Sequence, residues 1–172
     1  MTIHFGDSTS IDSASGLGAG ILQVVQTAKT DTFSQSLSSG SLSNVIMERT
    51  ITPASSSNKV LIICHLNVSG NGGVGFQFTR GGSALAASTG DADSSRIRLT
   101  SQSQVHHPTQ QCALEAVFLD SPSSTSQQTY GVKLFIRDNQ TQTIYLNRSG
   151  SHQNNVWDSV TASFLVCQEV AV

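Results

Sequence analysis

With 172 residues, a net charge of -2, 37% hydrophobic and only 12% charged residues, the chain is sized for one domain with its own hydrophobic core. So weak a charge excludes electrostatic capture of nucleic acid or of an anionic membrane, and neutral surfaces are the expected partners. Three cysteines, Cys64, Cys112 and Cys167, an odd number with no C-x-x-C spacing, exclude a full disulfide framework and read as small buried hydrophobes.

Residues 1–20 are rich in Ser, Gly and Asp and end in Gly16-Leu17-Gly18-Ala19-Gly20, a composition that suits a flexible anchoring arm. Ile3, Phe5 and Ile11 are its candidate anchoring residues. The opening residues have neither a basic region nor an apolar run, so no secretory signal is expected, and no transmembrane span is predicted anywhere. The sandwich domain proper is assigned to residues 21–172. Its first strand is predicted over 21–27, and the Ser-rich stretch that follows, with Phe33 and Leu37, holds an edge strand. A strand over 45–52 is closed by Pro53 and the turn Ser55-Ser56-Ser57-Asn58.

The strongest element is 59–69, where Val60, Ile62, Cys64, Leu66 and Val68 form an unbroken apolar face, because successive side chains of a strand point to opposite sides. After Gly70-Asn71-Gly72-Gly73, the alternation of Val74, Phe76 and Phe78 with Gly75, Gln77 and Thr79 predicts a second strand paired with the first as a hairpin. Residues 81–111 are irregular, with one short strand expected at 96–100. Strands are predicted over 112–119, 129–137 and 143–147. Tyr130, Val132, Leu134 and Ile136 face the core in the second of these. The loop 149–158 carries the only Trp. The last segment, 160–170, is predicted to turn Val160, Ala162, Phe164 and Val166 inward, with Leu165 outward; Phe135 is likewise placed on an outer face. No helical period competes, so the expectation is an all-β, antiparallel, jelly-roll-like sandwich.

Few constellations carry chemistry. Gly70-Asn71-Gly72-Gly73-Val74-Gly75 matches G-x-G-x-x-G, but a phosphate cradle needs a helix after it and a strand is predicted there. His106 and His107 are zinc or nickel ligand types, yet neighbours in an extended segment point opposite ways. Asp91-Ala92-Asp93-Ser94 lacks the glycine and glutamate of a calcium loop. Asn67-Val68-Ser69, Asn139-Gln140-Thr141 and Asn147-Arg148-Ser149 fit the glycosylation acceptor pattern and read as polar turns. With no catalytic signature, no enzyme, no cofactor and no bound metal are expected. Trp157, flanked by Asn154 and Asn155, is the candidate ligand contact: either its ring stacks on a saccharide, or it caps the core.

Several phrases of the chain occur in a telling order: the arm of residues 1–9, the strand 21–26, the stretch from Ile51-Thr52-Pro53 through Lys59-Val60-Leu61-Ile62, the run Gly75-Phe76-Gln77-Phe78-Thr79-Arg80-Gly81-Gly82, and Tyr145-Leu146-Asn147-Arg148-Ser149. Together they resemble a recurrent domain in virion proteins of tailed bacteriophages, especially those of marine hosts. The resemblance implies a non-enzymatic β-sandwich displayed on the particle, commonly as a homotrimer, in a tail-fibre-like appendage or as a capsid decoration. It also implies other virion proteins and a host-surface glycan as partners in adhesion, and assembly into the virion in the host cytoplasm. The alternative expectation is a free-standing carbohydrate-binding module.

Overall fold

Two antiparallel sheets pack face to face in the computed structural model, which describes residues 3–4, 10–11, 20–138 and 140–172. In chain order the strands are β1 (Ile3–His4), β2 (Ser10–Ile11), β3 (Ile21–Lys29), β4 (Phe33–Leu37), β5 (Leu42–Ile51), β6 (Lys59–Ser69), β7 (Gly72–Arg80), β8 (Ser83–Ala84), β9 (Ser101–Val105), β10 (Cys112–Asp120), β11 (Gln128–Arg137), β12 (Gln142–Leu146) and β13 (Ser163–Val170). One 3-10 turn, Ala86–Ser88, is the only helical element among the described residues. No described helix is long and apolar enough to cross a membrane.

The first sheet runs β3-β13-β6-β10, and the upper end of β6 also takes β12, which carries β4. The second runs β5-β11-β7, with β8 and β9 sharing the free edge of β7. Setting aside β1, β2, the two-residue β8 and the β12–β4 pair that joins only the end of β6, eight strands remain, and their pairing is nested. First pairs with last (β3 with β13), second with seventh (β5 with β11), third with sixth (β6 with β10) and fourth with fifth (β7 with β9). Each sheet is therefore stitched from strands far apart in sequence.

Strand boundaries follow the alternation closely, and the core is the inward set it implies. Val60, Ile62, Leu66 and Val68 of β6 and Tyr130, Val132 and Leu134 of β11 are fully buried, with Cys64 and Ile136 nearly so. They meet Val74, Phe76 and Phe78 of β7, whose last two rings pack edge to face with centroids 5.2 Å apart. All three cysteines are free thiols, Cys64 and Cys167 in the core and Cys112 half-buried. Burial raises all three thiols above their ordinary range, Cys167 to about 12.

Four expectations are corrected. The segments β6 and β7 do not form a hairpin: the chain turns a corner after Ser69 and enters the opposite sheet. A short Gly-rich connection is as compatible with a sheet switch as with a hairpin, and both faces of β6 can be covered. Residues 96–100 form no strand; the pairing begins one residue later, at Ser101. On β13 the phase is inverted. Leu165 is fully buried, with Ser163, Cys167 and Glu169 beside it, while Phe164 is 38% exposed on the outer face. Apolar residues occupy both faces of this segment, so the alternation itself carried no phase, and a one-residue slip exchanges the faces. In the observed phase Glu169 is a buried carboxylate whose burial is offset by hydrogen bonds accepted from Ala54 N (2.6 Å) and Asn58 Nδ2 (2.7 Å). Lastly, Phe135 is buried, covered by the irregular segment before β9 rather than by another subunit.

That segment and the neighbouring β11 explain the glycines of β7. A Cβ on Gly75 would come within 2.8 Å of Leu99 Cδ1 and 2.9 Å of Ser101 O, so the absent side chain is the seat on which the segment lies. Gln77 Nε2 donates to Arg98 O (2.8 Å) and fastens it from the strand below. Gly72, at φ +126°, would place a Cβ 2.7 Å from Arg137 O. The G-x-G-x-x-G phrase thus serves backbone approach, and the element after it is a strand.

Candidate functional site

The loop between β12 and β13 leaves the sandwich through a buried polar hub. Asn147 sits at φ +60° and is fully buried; its Nδ2 donates to Lys29 O (2.7 Å) and Asp31 O (3.0 Å). Its Oδ1 accepts from Ser163 Oγ (2.6 Å), and its backbone closes on Asn67 and Thr161. Asn tolerates the left-handed conformation, and its two-ended amide satisfies donors and acceptors that a buried turn would otherwise orphan. Asn67 and Asn147, both within acceptor-pattern triplets, are therefore structural; Asn139 lies outside the described residues.

From this hub the loop root is clamped on two sides. Gly150 N donates to Pro108 O (2.7 Å), and a Cβ at Gly150 would meet both Pro108 and the Tyr145 ring at 3.0 Å. Arg148 lies over the same ring, 4.6 Å from its centroid. At the far end Gln111 bridges the returning chain, donating to Ser159 O and accepting from Thr161 Oγ1, each at 3.1 Å.

Beyond the clamps, the loop is ordered by its own polar side chains. Asp158 accepts from Gln153 N and from Ser151 Oγ (3.1 Å), and Ser151 Oγ is 2.8 Å from Ser149 Oγ. The hydroxyl of Ser149, the Gln153 amide and the hydroxyl of Ser151 hold the Asp158 carboxyl below its ordinary value of 3.8. Asn155 Oδ1 accepts from Trp157 N (3.0 Å), an Asx turn that fixes the backbone under the indole, and Asn155 Nδ2 donates to Gln153 Oε1 (3.1 Å).

The tip so fixed is apolar and open. Val156 is 90% and Trp157 89% exposed, so Trp157 does not cap the core and its ring faces solvent. Beside it lies a shallow depression lined by His152, Gln153, Asn154, Asn155, Asp158 and Val160. Asn155 and Asn154 thus differ in kind. The first is consumed in holding the turn, and the second is exposed at the depression. Val156 went unnoticed in the sequence because an isolated Val beside a Trp has the same pattern whether it lies in or out.

Other candidates are dispersed. His106 and His107 are exposed, and His107 Nδ1 is taken by Thr109, with the hydroxyl at 2.8 Å. No group of three or more His, Cys, Asp or Glu converges among the described residues. Asp93 is engaged by Arg96 at 3.1 Å. In the arm, Ile3 and Ile11 stand opposite one another in the β1–β2 ladder, while Phe5 lies outside the described residues. No protein-family model matches the chain, and no curated protein matches it.

Proposed function

We propose that this chain is a non-enzymatic structural protein displayed on a tailed-bacteriophage particle, built as a jelly roll and presenting the Val156–Trp157 tip outward. The observation that carries the jelly-roll part of the reading is the nested pairing of eight strands, first with last and inward to fourth with fifth, because a jelly roll is a hairpin rolled up in this way. Jelly rolls serve as viral capsid and lectin domains, so the architecture supports both the display reading and its alternative. The order of the sequence phrases that resemble virion proteins favours display. A tip fixed by hydrogen bonds and topped by an indole loses little entropy on contact, which suits a surface made for adhesion.

The second reading, a free-standing carbohydrate-binding module, is favoured by the exposed indole beside the Asn154 amide. Antibody-gold labelling of purified particles separates the two. Regular labelling on head or tail supports display, and the location says which. Particles free of label, with a Trp157 fluorescence change on adding oligosaccharide to the isolated protein, would transfer the assignment to the module.

A further inference from the structure

We infer that the outer face of the β3-β13-β6-β10 sheet is the surface on which two copies of this chain pack, face to face about a two-fold axis.

The register sets out this face in rows. Gln26, Val166, Ile63 and Val117 form one, and Val24, Gln168, Leu61 and Leu119 the next. Above them stand Ala28, Phe164, His65 and Glu115; below, Val170 stands beside Lys59. Val117 is 65% and Val24 57% exposed, and Phe164 stands out where the inverted phase of β13 puts it. The contrast lies within a single sheet: on the adjoining β12–β4 pair the same outer face carries Ser34, Ser36, Thr143 and Tyr145, with Ser36 and Thr143 hydroxyls 3.0 Å apart. That part is built for water and the four-stranded part is not.

Charge arrangement selects a second copy as the occupant. One end of the apolar rows is acidic: His65 Nδ1 donates to Glu115 Oε1 (2.6 Å), while Asn67 Nδ2, oriented by Ala162 O (2.8 Å), donates to His65 Nε2 (3.1 Å). The other end is basic, with Lys59, which has no carboxylate within ion-pair distance among the described residues. Residues 59 and 65 lie symmetrically about 62 on the same strand. An axis lying in the plane between the Leu61 and Ile63 rows therefore lays the Lys59 end of each copy over the His65–Glu115 end of the other. The flexible lysine stem spans the roughly 4.8 Å between adjacent strands to reach Glu115. The two rows, apolar except for Gln26 and Gln168, then meet each other.

Size sets the strength. Four strands by about seven residues give a plane of roughly 19 by 23 Å, about 440 Å² per copy, and side-chain relief brings the pair to about 1,000 Å², the lower bound for a specific interface. The contact is accordingly weak and is driven to completion where copies are concentrated, as they would be on a particle if the proposed display holds. Its product is a dimer rather than the trimer that the resemblance implies.

Sedimentation equilibrium of the full chain over a concentration series tests this. A reversible rise from 18.1 kDa to twice that mass is expected. Val117→Glu, an exposed change that leaves the far-ultraviolet spectrum and denaturation midpoint intact, should weaken the dimer more than tenfold. Lys59→Glu and Glu115→Lys should each weaken it about tenfold, because symmetry counts each pair twice, and the double reversal should restore it. A monomer at all concentrations, a trimer, a dimer indifferent to Val117→Glu, or a double reversal no better than the singles would each overturn the proposal. A monomer that binds lipid vesicles through this face would give it to another partner.

Discussion

Leu66 and Phe164 are both large apolar residues on strands of one sheet, yet they stand on opposite sides of it, and the difference is measurable. Leu66 is fully enclosed, so Leu66→Ala should cost about 2–5 kcal/mol through lost transfer energy and a residual cavity. Phe164→Ser, on the outer face, should cost well under half of that in the isolated chain; urea midpoints of the two variants check the phase of β13. The thiols make a second residue-scale test. Alkylation in native buffer should be slow at all three, since burial disfavours each thiolate, with half-buried Cys112 reacting first and Cys64 and Cys167 only as the protein unfolds. Mass mapping of labelled peptides gives the order. How far such residues were legible depended on continuity: the inward set of β6 and of β11 was plain because it is an unbroken apolar run at every second position, whereas on β13 each face mixes apolar and polar residues.

Elements here are held by small polar devices as much as by burial. The loop that carries Trp157 depends on Asp158 as an acceptor, and its carboxyl is held below 3.8 in the fold. A group whose folded value is depressed contributes order that is present above the unfolded value and is lost as pH falls through the folded one. Trp157 fluorescence anisotropy should therefore stay constant from neutral pH down to about 4 and then fall in acid as the loop loosens, while the sheet spectrum persists. Asp158→Asn should show the loosened signal already at pH 7. On the other sheet, Gly75→Ala should cost about 1–3 kcal/mol, because its Cβ meets Leu99 and the Ser101 carbonyl within 3 Å and the segment must lift. Thermal denaturation measures this, and faster amide exchange at Phe135 would show that the segment had moved. The candidate contact was legible in part: a Trp among Asn residues marks the place, whereas the clamps at Pro108, Gln111 and Asn147 come from segments remote in sequence.

At the scale of the whole molecule, nested pairing makes β13 indispensable. It lies between β3 and β6 and closes the first sheet after every other strand has been made. A chain ending before residue 163 should lack a cooperative unfolding transition, and circular dichroism on heating would show it. The intact chain should refold over roughly milliseconds to seconds in stopped-flow fluorescence, since its strand pairs join residues far apart and loop closure precedes their reward. A single microsecond phase would contradict the pairing.

The sequence by itself determined the class, most strand boundaries and the inward faces of β6, β7 and β11, because a period of two is a local property that water reads directly. It also excluded a phosphate cradle, since the residues after the glycines alternate as a strand. Only the tertiary structure decided which strands share a sheet, that the chain turns a corner between β6 and β7, and which face of β13 is buried. Those choices rest on contacts between distant segments, such as the carboxylate of Glu169 reaching Ala54 and Asn58, and no local alternation encodes a partner more than a hundred residues away.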